Sequence, residues 1–139
     1  MGDGFAVRVR VRGYELDMNG HLNQAVYMQY GEHARWELVR AAGVSGDALA
    51  GEGLGLIVLE LTIRFRNELR DGDEVDVTCA YRPKGGKTFT VEHELRRGDG
   101  VLAAEITGVG GLLDLTERRL VPDPIARMKT LATNPNLLG

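Results

Sequence analysis

Cysteine is nearly absent from this chain: Cys79 is the only one. That excludes a disulfide framework and a cysteine-based metal site, and makes a reducing, cytoplasmic setting the simplest reading. Serine is as scarce. Ser45 stands alone, and no Gly-x-Ser-x-Gly elbow exists, which argues against a serine hydrolase. No apolar run approaches the ~20 residues that a membrane span needs. The start, Met1-Gly2-Asp3-Gly4-Phe5, has no signal-peptide pattern, and Ala6 stands where myristoylation requires Ser or Thr. There is no excess of positive charge. The net charge of −3 gives no electrostatic footprint for nucleic acid. Phosphate-loop and dinucleotide motifs are missing, so ATP and NAD find no support. His21, His33 and His93 show no metal-ligand spacing, and no metal is expected.

What remains is an ordinary globular composition, 43% apolar and 27% charged. Its length suits one domain spanning residues 1–139. Phe5, Val7, Val9 and Val11 alternate with Ala6, Arg8, Arg10 and Arg12, the pattern of a half-buried strand. Residues 14–21 read as a loop and Asn23 as a helix cap. Val26, Tyr27, Tyr30, Ala34, Leu38 and Ala41 form the apolar stripe of a long helix, which Gly43 stops. Gly31 inside it costs about 1 kcal/mol relative to Ala, so close approach of another backbone is expected there. Residues 44–54 read as a Gly-rich connector.

Four strands follow. Ile57, Leu59, Leu61, Ile63 and Phe65 alternate with Val58, Glu60, Thr62 and Arg64. After an Asp71-Gly72-Asp73 turn come Val75, Val77, Cys79 and Tyr81. A hairpin loop at residues 83–87 leads to Phe89, Val91, His93 and Leu95. A further turn leads to Leu102, Ala104 and Ile106. Gly110-Gly111 suggests a bulge, with Leu113 and Leu115 resuming the pattern. Asp123-Pro124 opens a short terminal helix with Ile125, Met128 and Leu131 buried. Each strand has one apolar face, and the one long helix is its obvious cover. The class is α+β: an antiparallel five-stranded sheet wrapped around a long central helix, with a short C-terminal helix.

The chemistry concentrates where the loop meets the long helix. Asp17 lies beside the free backbone N–H groups of a helix N-terminus. A carboxylate that attacks or activates water, with donors for the oxyanion it generates, is what acyl transfer needs. The alternative for Asp17 is a turn aspartate bonding its own backbone. Gln24 offers a backbone N–H as oxyanion donor, and Gly20 permits an unusual φ or close substrate approach. His21 is a general base or, more simply, a structural histidine fixing the turn. Asn23 is a cap or a substrate contact. Tyr27 and Tyr30 suit a pocket or an interface. Glu32 and Arg35, three apart, can pair. Glu60, polar on an apolar strand, is solvent-exposed or reaches a site from a partner subunit. His93 reads as a satisfied core histidine.

The segment Glu15-x-Asp17-x-x-Gly20-His21-Leu22-Asn23-Gln24, followed by Tyr27, Tyr30 and Glu32-x-Ala34-Arg35, resembles the Asp-x-Asp-x-x-Gly-His-Val-Asn-Asn signature of hotdog-fold thioesterases. These are the enzymes of the 4-hydroxybenzoyl-CoA thioesterase and acyl-CoA thioester hydrolase type. The chain departs from the signature at Glu15, Leu22 and Gln24, and Asp17 is intact. The resemblance implies the hotdog fold and a homodimer with the site at its interface; tetramers are common among such proteins. It implies hydrolysis of an acyl-CoA, or of an acyl group on an acyl carrier protein, with Asp17 as nucleophile or general base. Coenzyme A or phosphopantetheine would enter as part of the substrate, with no separate cofactor. Arg82, Lys84 and Lys87 around the hairpin are then candidates for its phosphates, or simply a solvated turn. A hotdog hydratase is disfavoured, because its Asp-x-Asn-Pro-x-His pattern is absent. A non-catalytic acyl-binding protein is disfavoured by the retained acid.

Overall fold

In the computed structural model, which describes residues 4–139, the long helix α1 (Gln24–Ala41) lies on one curled antiparallel sheet. The strands are β1 (Ala6–Arg10), β2 (Leu54–Phe65), β3 (Glu74–Thr78), β4 (Ala80–Gly85), β5 (Thr88–Arg97), β6 (Leu102–Asp114) and the two-residue β7 (Arg119–Leu120). Their order is β1-β3-β5-β6-β2, with β4 also on β5 and β7 on β6. β3 and β4 are one long strand opened at Cys79; with the two-residue β7 set aside, the seven become the five long strands expected. At the opening, the Glu94 N–H donates to Thr78 Oγ1 (2.7 Å) and the His93 Nδ1–H to the Thr78 carbonyl (2.8 Å). Side chains thus replace ladder bonds while the sheet curls. The reading of residues 1–3 lies outside the described residues.

The core is where the alternation placed it. Val75, Val77, Cys79 and Tyr81 meet Phe89, Val91, Leu95, Ala104 and Ile106, under Tyr27, Tyr30, Ala34 and Leu38 of α1. Val11, Leu22 and Leu69 close one end, and Ile125 and Met128 of α3 (Pro124–Lys129) join the same core. Gly43, at φ +80°, stops α1; a Cβ there would lie 1.8 Å from Thr133 Oγ1.

Five local expectations need correction. Residues 46–51 are not plain connector but a short helix, α2 (Gly46–Gly51), whose Ala48 N–H bonds Ser45 Oγ at 2.9 Å. Ala41 is exposed, and Ala42 is the buried residue. The bulge is on β2 between Val58 and Glu60, so Leu59 leaves the apolar face and stands exposed. On β6 the alternation runs unbroken through Gly108 and Gly110 to Leu112, while Leu115 is exposed. Gly31 admits side chains rather than backbone: a Cβ there would meet Ile106 at 3.3 Å and His93 at 3.4 Å.

The expected Glu32–Arg35 pair is replaced by a contact across the helix–sheet interface. Arg35 Nη1 donates to His93 Nε2 at 3.2 Å. Arginine only donates and a carbonyl only accepts, so His93 is neutral with its proton on Nδ1. Burial, and secondarily the Arg35 cation, push His93 down to about 4 from the usual 6.5, against the opposing pull of the Thr78 carbonyl. The unfolded chain therefore binds more protons than the folded one between pH 6.5 and 4. The contribution of a neutral His93 is complete above pH 6.5 and is lost as pH falls toward 4, by roughly 3 kcal/mol. In urea titrations across that window, the stability gap between wild type and His93→Asn should narrow as the pH drops.

Candidate active site

The loop before α1 is tied by its own backbone. Asp17 N–H donates to the His21 carbonyl (2.8 Å) and Gly20 N–H to the Asp17 carbonyl (3.1 Å), with Gly20 at φ +78°. Leu22 N–H bonds the Leu69 carbonyl (2.8 Å) and Asn23 N–H the Glu15 carbonyl (2.9 Å), which anchor the loop to the segment after β2 and to the turn preceding it. The Asp17 carboxylate joins this network on one side only. Oδ1 accepts from the N–H groups of Asn19 (2.9 Å) and His21 (3.2 Å), while Oδ2 has no partner among the described residues. Asp17 is thus a turn aspartate that keeps one oxygen available.

The first turn of α1 complements it. Asn23 Oδ1 accepts from the Ala25 N–H (2.9 Å), and the Asn23 carbonyl accepts from the Val26 N–H (2.9 Å). Among the described residues, the Gln24 N–H has no acceptor. One orphan donor thus remains at the positive end of the helix.

These groups share a cavity of about 630 Å³ lined by Asp17, Met18, Asn19, His21, Leu22, Asn23, Gln24 and Tyr27, with Phe65, Arg66, Asn67 and Glu68 from the end of β2. Tyr27 is buried and meets Phe65 edge-on, ring centroids 5.0 Å apart. Burial first, then the charges of Asp17 and Glu68, hold its phenol up from the ordinary value, so Tyr27 stays protonated. His21 Nε2 lies 2.6 Å from Glu68 Oε1, and Glu68 Oε2 lies 2.6 Å from Arg70.

Of the residues picked from the sequence, Asp17, His21, Asn23, Gln24 and Tyr27 line this cavity. The others do not. Gly20 shapes the turn behind it. The Tyr30 hydroxyl donates to Glu15 Oε1 at 2.7 Å, which makes it a brace for the loop. Glu60 is exposed on β2 beside the bulge. Arg82 pairs with Glu92 at 2.8 Å, and Lys84 and Lys87 are exposed at the β4–β5 hairpin. Arg66 is the lysine- or arginine-type cation in the lining. The sequence reading missed Phe65, Arg66, Asn67 and Glu68. A polar run directly after an alternating strand was the available signal. Among the described residues, no group of three or more His, Cys, Asp or Glu side chains is arranged to hold a metal ion.

The model of the thioesterase-like superfamily matches residues 11–131, and the chain belongs to that family. It is 40% identical over 93 residues to the acyl-acyl carrier protein thioesterase ATL3, chloroplastic, of Arabidopsis thaliana, covering 67% of this chain and 49% of that protein. It is 27% identical over 81 residues to the long-chain acyl-CoA thioesterase FadM of Escherichia coli, covering 58% of this chain and 61% of that one. The chain therefore spans about half to three-fifths of the length of these relatives. In fold it is similar to the SAV2348 protein of Staphylococcus aureus, solved in complex with CoA: TM-score 0.84 at 20% identity, covering 99% of this chain and 87% of that one. The hotdog architecture is thereby established. No helix is long and apolar enough to cross a membrane among the described residues.

The cap predicts a stability effect separable from chemistry. Asn23→Ala should lower the unfolding free energy by about 1 kcal/mol in urea, and Asn23→Ser should retain most of it.

Proposed function

We propose that this chain is a thioesterase that hydrolyses an acyl thioester carried on coenzyme A or on the phosphopantetheine arm of an acyl carrier protein. One observation carries the reading. Among the described residues Asp17 Oδ2 has no partner and the Gln24 N–H, at the helix N-terminus, has no acceptor, and both residues line the same cavity. The thioester carbonyl oxygen would lie against that N–H. Charge developing on it in the tetrahedral intermediate is favoured by the donor and by the helix dipole. Asp17 Oδ2 then either takes a proton from the attacking water or attacks the carbonyl itself. Neither course calls for a separate cofactor.

The names of the relatives support the class: one is an acyl carrier protein thioesterase and the other an acyl-CoA thioesterase. Between the two carriers, the higher identity to the former favours the carrier protein. Assaying one acyl group on both carriers decides between them.

Two substitutions isolate the groups. Asp17→Asn keeps an oxygen for the Asn19 and His21 N–H groups while replacing Oδ2. Gln24 is the first residue of α1, where proline is tolerated, and Asn23 at φ −62°, ψ 136° has the backbone that precedes proline. Gln24→Pro therefore deletes one N–H from an intact helix. Thiol release should fall about 100-fold or more in each, with melting temperatures near wild type, whereas Gln24→Ala should lose little. Full activity in Asp17→Asn would remove Asp17 from the mechanism.

We also infer a homodimer. β2 pairs only with β6 among the described strands; Val58, Leu59 and Phe65 along it are exposed, and so are Met28 and Trp36 of α1. An open edge flanked by apolar side chains is what a second copy would cover. Sedimentation should give twice the chain mass or a multiple of it, and Leu59→Arg combined with Trp36→Glu should shift it toward monomer.

A further inference from the structure

Glu68 lines the cavity with Asp17 but has no part in the hydrolysis at Asp17 and Gln24. Its two oxygens are divided between His21 Nε2 and Arg70, each at 2.6 Å. A carboxylate only accepts, so the His21 ring carries a proton on Nε2. Nδ1 is then the nitrogen left for proton exchange, and it has no partner among the described residues. A carboxylate that fixes one ring nitrogen so that the other can transfer a proton is the arrangement that orients a histidine acid–base.

A purely mechanical role explains the pair less well. His21 and Glu68 side chains are 43% and 36% exposed, and exposed pairs contribute little stability. The segments they join are already tied by the Leu22 N–H to the Leu69 carbonyl.

We infer that Glu68 is a positioning residue, which holds the His21 ring by its Nε2–H so that the imidazolium, protonated at Nδ1 as well, delivers that second proton to the departing thiolate. The inference rests on the thioesterase reading. Water adds to the acyl carbon as Asp17 takes its proton, giving the tetrahedral oxyanion. The C–S bond then breaks, and the sulfur takes the His21 Nδ1 proton as it leaves. Acid and thiol depart, and the proton on Asp17 returns to His21, restoring both groups. The ionisable groups around the ring are Asp17 in its own loop, Glu68 and Arg70 after β2, Arg66 in the cavity lining and Tyr27 on α1.

An alkyl thiolate needs that proton far more than an aryl thiolate, which is stable without it. The test compares the wild type with Glu68→Gln, Glu68→Asp and His21→Gln on two thioesters of one acyl group. One is the coenzyme A ester and the other the thionitrobenzoate ester. With Glu68→Gln and His21→Gln, kcat on the coenzyme A ester should fall about 10-fold or more. The loss on the aryl ester should be several-fold smaller, and Glu68→Asp should recover part of the coenzyme A rate. Equal losses on both esters, or none on either, would overturn the assignment, and circular dichroism reports whether each variant is folded. A wild type inactive on both esters would instead remove the hydrolase reading, and this one with it.

Discussion

The site depends on how closely α1 lies against the sheet. Gly31 allows that approach, with Ile106 and His93 within 3.4 Å of where its Cβ would be. An added Cβ would be tight against both side chains, which would have to give way by a few tenths of an ångström. With the helix seated, Arg35 reaches the buried His93, and Tyr27, one turn before Gly31, meets Phe65 at the end of β2. The cavity lies beside that last contact. A glycine that costs helix stability in isolation thus permits the close packing of α1 on β5 and β6.

A second constraint is hydrogen-bond accounting. A helix start leaves its first N–H groups without intrahelical acceptors. Here the Asn23 side chain and carbonyl take Ala25 and Val26, and the Glu15 carbonyl takes Asn23. Among the described residues only the Gln24 N–H is left over. The same economy holds in the loop, where backbone donors occupy Asp17 Oδ1 and leave Oδ2 free. Tyr30 fixes Glu15, which in turn supports Asn23, so a residue suited by sequence to a pocket or an interface braces the loop instead.

Much of the fold was legible because its strands are half-buried and its turns are marked by glycine. The parts that were not have physical reasons. On β6 the core-facing positions Gly108 and Gly110 carry no side chain, so their register leaves no hydropathy signal, and Leu113 and Leu115 mimic in sequence the core face that Leu112 occupies. These glycines are small because Leu61, Val91 and Phe89 already fill the space above them. A bulge belongs to a pair of strands, so its place on β2 was invisible in β6. The helix after Ser45 was masked by its glycines. At the site, the legible half is the half that is local in sequence. Residues 65–68 reach Asp17 through a contact between segments more than forty residues apart, and no local pattern encodes that.

The two readings of Asp17 that competed in the sequence are not rivals in the structure. A carboxylate has two oxygens, and a turn needs only one. Engaging Oδ1 with two backbone donors fixes where Oδ2 lies at little entropic cost, because the loop is ordered anyway. An aspartate on a solvent-swept loop would have to be ordered at each turnover. One already spent on holding its turn arrives oriented. The same argument extends to His21, whose backbone serves the Asp17 turn while its ring is held from the far side by Glu68. Structural duty is therefore no argument against chemistry at either residue; in this loop it fixes where Asp17 Oδ2 and the His21 ring lie.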